Sequence, residues 1–208
     1  EIMEHNPIGL EGLDDNLVRY MKVKHLHPED AQLLPPGRGW LLVEFGGESQ
    51  DEANDKAERL KQTLEQNADS PSVAVYEDQE SQDTIWEVRE SGLGATAFVP
   101  GEHDTWPGWE DAAVRPDQIG GYLRDFRKLL EKYDYACALY GHFGQGCIHT
   151  RINFELKTQD GLTTYRQFVE EAADLVVEYG GSFSGEHGDG QSRAELLPKL
   201  YGPELLQA

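Results

Sequence analysis

The chain has 208 residues and a formal net charge of −21, from 18 Lys and Arg against 39 Asp and Glu. A field of that sign repels phosphate backbones and anionic headgroups, which disfavours nucleic acid and membrane surfaces as partners. No apolar run approaches the roughly 18 residues of a membrane span, Glu1-Ile2-Met3-Glu4 lacks the basic and hydrophobic stretches of a signal peptide, and two cysteines suit a reducing, cytoplasmic compartment.

Gly39 to Phe45 reads as a buried strand, closed by Gly46 and Gly47. Ala53, Ala57, Leu60 and Leu64 keep helical spacing on an acidic stretch, the narrow apolar stripe of a solvated helix. Ser72 to Tyr76 reads as a second strand, so strand, helix and strand make half of a ferredoxin-like unit. A helix from Asp83 to Ser91 is followed by an irregular Gly-, Pro- and Trp-rich stretch over 92–116. Loops of this length inside a domain are often functional. Ile119 to Tyr133 is a strongly amphipathic helix. Tyr135 to His142 and Cys147 to Phe154 are strands joined across Gly144-Gln145-Gly146. Tyr165 to Tyr179 is a further helix, ended by Gly180-Gly181. A Gly-rich loop, Gly185 to Gly190, leads into a short helix beginning near Gln191. The expected fold is one α+β domain over 1–208, an antiparallel sheet of ferredoxin-like β-α-β units flanked by helices.

The hairpin carries the most chemistry. A turn centred between Gln145 and Gly146 sets His142 opposite His149 across the ladder, with Cβ atoms about 4.5–5.5 Å apart. Two imidazoles so placed can converge on one cation, although a catalytic zinc site usually has three protein ligands. Two partly exposed histidines on a hairpin are the plainer alternative. Glu186, in Gly185-Glu186-His187-Gly188-Asp189-Gly190, offers a third ligand. In an extended segment neighbouring side chains diverge, so Glu186 and His187 would serve different partners. The alternative there is a Gly-rich turn opening a helix, capped by Asp189 or Ser192.

Arg89 lies beside Trp86 on a helix and could fork a carboxylate. A surface pair with Glu87 or Glu90 is its structural alternative. Arg151, two residues beyond His149 on the same strand face, could also meet an anion near a cation, and Arg193 is a weaker candidate. Cys147 shares that face, but Cys137 is not opposite it, so both are expected as buried thiols.

Together these motifs resemble a known family. Gly141-His142-Phe143-Gly144-Gln145-Gly146-Cys147-Ile148-His149 resembles the G-H-x-G-x-G-x-x-H metal motif of the FAD-linked oxidase C-terminal domain, in the vanillyl-alcohol oxidase superfamily. Ser184 to Gly190 resembles its S-x-E-H-G-x-G motif, Trp86 to Glu90 its W-x-x-R-E, and Glu110 to Val114 its E-D-V-A-V-like segment. The family includes D-lactate, glycolate and D-2-hydroxyglutarate dehydrogenases, and residues 92–109 look closest to large bacterial D-2-hydroxyglutarate dehydrogenase-like proteins. The resemblance implies His142, His149 and Glu186 as ligands of a divalent metal, usually zinc. It implies His187 as the base beside the flavin, with Gly188 next to it, and Arg89 as the holder of a 2-hydroxy acid carboxylate. Arg151 stands where relatives often have Asn, and Trp109 where some 2-hydroxyglutarate enzymes have Lys.

FAD in that family is held mainly by a separate domain, and an iron–sulfur region can follow. The chain is therefore expected to be a fragment of a larger enzyme that folds but does not itself hold FAD or turn over. A non-catalytic metal-binding or assembly domain is the rival reading.

Overall fold

The computed structural model of the chain describes residues 1–26 and 30–206. Its strands are β1 (Gly9–Asp14), β2 (Gly39–Glu44), β3 (Asp111–Ala113), β4 (Cys137–Gly141) and β5 (Cys147–Ile152). They lie in the order β2-β1-β4-β5-β3, every neighbouring pair antiparallel. The helices are α1 (Asp15–Val23), α2 (Gln50–Glu65), α3 (Gln79–Glu90), α4 (Gly92–Thr96), α5 (Ile119–Lys132), α6 (Gln159–Glu178), α7 (Gly190–Arg193) and α8 (Leu197–Leu205). Four of them start where local chemistry allows. Asp14, Ser49, Asp78 and Thr158 each accept a bond from the backbone N–H three residues on, satisfying a donor the helix leaves free.

Side chains alternate across a strand, and the two faces of this sheet are covered differently. One face sends Ala112, Leu139, Ile148 and Ile152 toward Phe126 of α5 and Phe168, Ala172 and Val176 of α6. The other sends Leu13, Ala138 and Tyr140 against Leu17 and Met21 of α1 and Val88 of α3. Glu11, Asp111, Cys147 and His149 belong to this second face by the pairing of Leu13 with Tyr140, Tyr140 with His149, and His149 with Asp111. A polar cluster thus continues the surface of the smaller core.

The antiparallel sheet flanked by helices is as expected, but its membership is not. Ser72 to Tyr76 forms no strand; Tyr76 instead bonds through its hydroxyl to the Leu33 carbonyl, and its own carbonyl accepts from Gln82 Nε2. β-propensity alone does not make a strand without an edge to pair with. The half ferredoxin-like unit read from that segment is therefore absent. β1 takes the inner place beside β2, and its Gly-Leu-Glu-Gly-Leu-Asp does not alternate because Leu10 and Leu13 are buried on opposite faces. The stretch over 92–116 holds α4 and the three-residue β3, too short to show a period.

Asp14 sits where β1 runs into α1 and is almost fully buried. Burial pushes its carboxyl up to about 6, against the lowering effect of the Leu17 and Leu139 backbone groups. A folded pKa above the unfolded one gives stability that is complete below about pH 4 and lost as pH rises through 6. Two units correspond to roughly 3 kcal/mol at neutral pH. Asp14→Asn keeps the cap, so it is expected to melt level with wild type near pH 4 and several degrees above it at pH 7. Melting curves across that range test this; a gap independent of pH would refute it.

Candidate functional site

The hairpin turns one residue earlier than expected. Cys147 N–H donates to the His142 carbonyl (3.1 Å), closing a four-residue connection from Phe143 to Gly146. Tyr140, rather than His142, therefore stands opposite His149. Tertiary bonds set this register: Gly144 N–H reaches the Leu10 carbonyl (2.8 Å) and Val114 N–H the Gly146 carbonyl (3.0 Å). A shift of two residues preserves the face, so His142 still approaches His149 from beyond the end of β4. The rings stand 5.4 Å apart and nearly perpendicular.

Both rings point one nitrogen at Glu186. His142 Nε2 is 3.3 Å from one carboxylate oxygen, and His149 Nε2 is 3.8 Å from the other. Their Nδ1 atoms are engaged behind, with Glu11 Oε1 (2.8 Å) and the Glu110 carbonyl (3.3 Å) respectively. An imidazole anchored through Nδ1–H keeps its Nε2 lone pair for a cation. Burial pushes the His149 imidazole down, which favours its neutral, ligand-competent form.

The carboxylate-rich surroundings offer other donors. Asp111, Cys147, His149 and Glu186 have ligand atoms within 4.8 Å of one another, as do Glu110, His149 and His187, while His142 is in neither set. Hydrogen bonds already occupy several of these groups. Asp111 is saturated: it accepts from Ser184 Oγ, Glu186 N–H (3.1 Å), His187 N–H (2.8 Å) and Cys147 Sγ (3.2 Å). Burial and the neighbouring Asp111 push the Cys147 thiol far up, so it is not a ready thiolate. Both Glu110 oxygens lie at His187 Nδ1 (2.9 and 3.1 Å). His142 Nε2 and His149 Nε2 each lie within 4 Å of a different Glu186 oxygen, and a two-His, one-carboxylate set is of a type that can hold a divalent metal.

The loop carrying Glu186 and His187 is not extended, which corrects the expectation that the two side chains diverge. It wraps Asp111 so that consecutive N–H groups point at one carboxylate, the arrangement of an anion nest. Ser184 Oγ extends the nest by accepting from Gly188 N–H (2.7 Å). Glu186 and His187 therefore face the same region, with Glu186 Oε2 3.9 Å from His187 Nε2, and the His187 ring stacks on His149 at 5.1 Å. Hydrogen bonding to Glu110 pushes the His187 imidazole up. The ring is half exposed, and Gly188 beside it (φ +81°) has open space where a Cβ would be. Asp189 makes no side-chain cap to α7; Arg193 is buried and donates to the Gly188 carbonyl (2.7 Å), holding the loop from behind.

Arg89 is not a surface residue. It is buried, donates through Nε to Glu11 Oε2 (2.6 Å), and lies 5.1 Å from the centre of the Tyr140 ring. Arg151 is on the same sheet face, opposite Ala138; burial pushes the Tyr140 phenol up while Arg151 and Arg89 pull it down. Cys137 and Cys147 are free thiols, Cys147 buried and Cys137 partly so. Trp109 is 1% exposed and packs near Phe183 in the larger core.

Glu11 went unread in the sequence, and Glu110 and Asp111 carried no role there. Glu11 is one of two acids in a strand without alternation, which leaves no local signal. Adjacent acids ahead of an Ala-Ala-Val run were the only hint for the other two.

The FAD linked oxidases, C-terminal domain family matches residues 1–208, the whole chain. The chain belongs to that family. Among curated proteins it is 30% identical to a D-2-hydroxyglutarate dehydrogenase of Pseudomonas putida over 97% of this chain and 21% of that protein. It is 27% identical to the glycolate oxidase subunit GlcD of Bacillus subtilis over 81% of this chain and 34% of that protein. A D-lactate dehydrogenase of Archaeoglobus fulgidus is 34% identical over 47% of this chain and 21% of its own length. This FAD-linked oxidase domain thus spans about a fifth of the D-2-hydroxyglutarate dehydrogenases it matches. No described helix is long and apolar enough to cross a membrane.

Proposed function

We propose that residues 1–208 form the substrate- and metal-binding part of an FAD-dependent D-2-hydroxy acid dehydrogenase of the D-2-hydroxyglutarate or D-lactate class. The observation that carries this is the approach of both His142 Nε2 and His149 Nε2 to the Glu186 carboxylate, beside His187. His142, His149 and Glu186 would hold a divalent cation, which the family resemblance makes zinc. The partners would be the flavin domain, and an iron–sulfur region, of a longer cytoplasmic chain. When bound, the flavin supplies the hydride acceptor and the cation supplies Lewis acidity at the alcohol oxygen.

The chain's own residues do the rest. Arg89 has its Nε edge taken by Glu11, so its terminal nitrogens are left to receive the carboxylate of the substrate, with Arg151 further along the face. His187 is anchored through Nδ1 to Glu110, so Nε2 is the atom that takes the proton from the C2 hydroxyl. The exposed His187 ring and the bare backbone of Gly188 would border the flavin from this side.

The test uses the full-length parent, metal-loaded, with dye reduction over a panel of D-2-hydroxy acids. Wild type is expected to reduce dye with at least one of them, and His187→Gln to lower kcat by about 10²–10⁴ at unchanged metal content. A parent that binds metal and flavin but oxidises none of the panel would overturn the reading in favour of a non-catalytic metal-binding or assembly domain.

A further inference from the structure

Glu11 is 7% exposed and touches two groups of the site with two different oxygens. Oε2 accepts from Arg89 Nε at 2.6 Å, and Oε1 lies 2.8 Å from His142 Nδ1. A buried carboxylate is tolerated only when both oxygens find donors. Arg89 is a donor by nature, so the proton needed at Oε1 must come from the imidazole. The competing arrangement has His142 Nδ1 accepting from Arg89 Nη2. That contact is 3.5 Å, too long for a strong bond, and it would set an imidazole lone pair against a carboxylate oxygen at 2.8 Å. Glu186 Oε1 faces the other ring nitrogen, 3.3 Å from His142 Nε2, but that carboxylate is partly exposed to water, whereas Glu11 is buried and lies at 2.8 Å, so the proton goes to Nδ1.

We propose that Glu11 is a positioning residue that selects the Nδ1–H form of His142, so that the nitrogen facing Glu186 is the one with a lone pair. By holding Arg89 side-on with its other oxygen, Glu11 also ties the carboxylate-binding arginine to the same geometry. The consequence for metal affinity rests on the cation reading above; the selection of the proton position does not.

Glutamine at position 11 separates this role from mere filling of space. Its amide NH₂ cannot face Arg89, since two donors would meet. The amide oxygen must therefore turn to Arg89 and the NH₂ to His142 Nδ1, which then accepts. The ring's proton moves to Nε2, the wrong nitrogen for a ligand. Long-range ¹H–¹⁵N correlation spectra of the metal-free chain at pH 8 read this directly. Wild type is expected to show His142 protonated on Nδ1, and Glu11→Gln to show it on Nε2. In Co(II) titrations Glu11→Gln is expected to bind about 10–100-fold more weakly, the usual loss when a ligand's outer partner is removed.

Wild-type His142 protonated on Nε2 in the metal-free chain would overturn the proposal without need of any variant. A folded Glu11→Gln that keeps the Nδ1 form and wild-type cobalt affinity would also overturn it. A wild-type chain that binds no cobalt would instead defeat the metal reading, and the spectra would still decide the role of Glu11.

Discussion

Asp111→Ala is expected to lower the melting temperature by roughly 10 °C at neutral pH and to weaken Co(II) binding at least about tenfold. The carboxylate is fully buried and accepts from the Ser184 hydroxyl, two consecutive N–H groups and the Cys147 thiol. Burial pushes its pKa up, but those donors together outweigh burial and hold it at about 2. A folded pKa below the unfolded one gives stability that is complete above about pH 4 and lost as pH falls through 2. Removing the side chain leaves the nest without its anion, a loss of roughly 3–5 kcal/mol by analogy with broken buried charge pairs. The wild type should therefore lose its advantage over the variant on acidification below pH 4. Calorimetry across that range, with cobalt titrations at pH 7, makes the comparison. Near-identical melting and cobalt affinity for the two proteins would show that the Glu186-His187 loop holds itself.

Gly146→Ala is the second large effect. The residue has φ +84°, and a Cβ there would lie 1.7 Å from the Val114 carbonyl oxygen, a backbone atom that cannot swing aside. Left-handed strain alone costs about 1–2 kcal/mol. Loss of the turn's bond to Val114 adds to it, so destabilisation above about 3 kcal/mol is expected in urea melts. Gly188→Ala is the contrast. Its φ is also left-handed (+81°), but nothing lies within 4 Å of the added carbon, so only the strain should appear. Equal losses for the two variants would mean that crowding at Val114 does not set the hairpin register.

Several parts of the site are legible in the sequence because strand parity and short loops are local. His149, Arg151 and Cys147 lie on one face whatever the register, and Glu186 and His187 are neighbours whatever the loop shape. The register itself is not legible locally, since the bonds that pin the turn come from Leu10 and Val114, far away along the chain. Ser72 to Tyr76 has the look of a strand and lacks only a ladder partner, which no local pattern reports. Arg89 looks like a helix-surface residue among Glu87 and Glu90 until β1 brings Glu11 beneath it.

The amino-acid order alone determines which side chains can act as ligands and bases, because short-range spacing sets which of them share a strand face or a loop. What surrounds each of them was decided only by the tertiary structure. Glu11 reaches His142 across 131 positions, and Asp111 reaches the His187 backbone across 76. Contacts of that separation arise from the stacking order β2-β1-β4-β5-β3, and such long-range pairings leave no periodic trace in the chain.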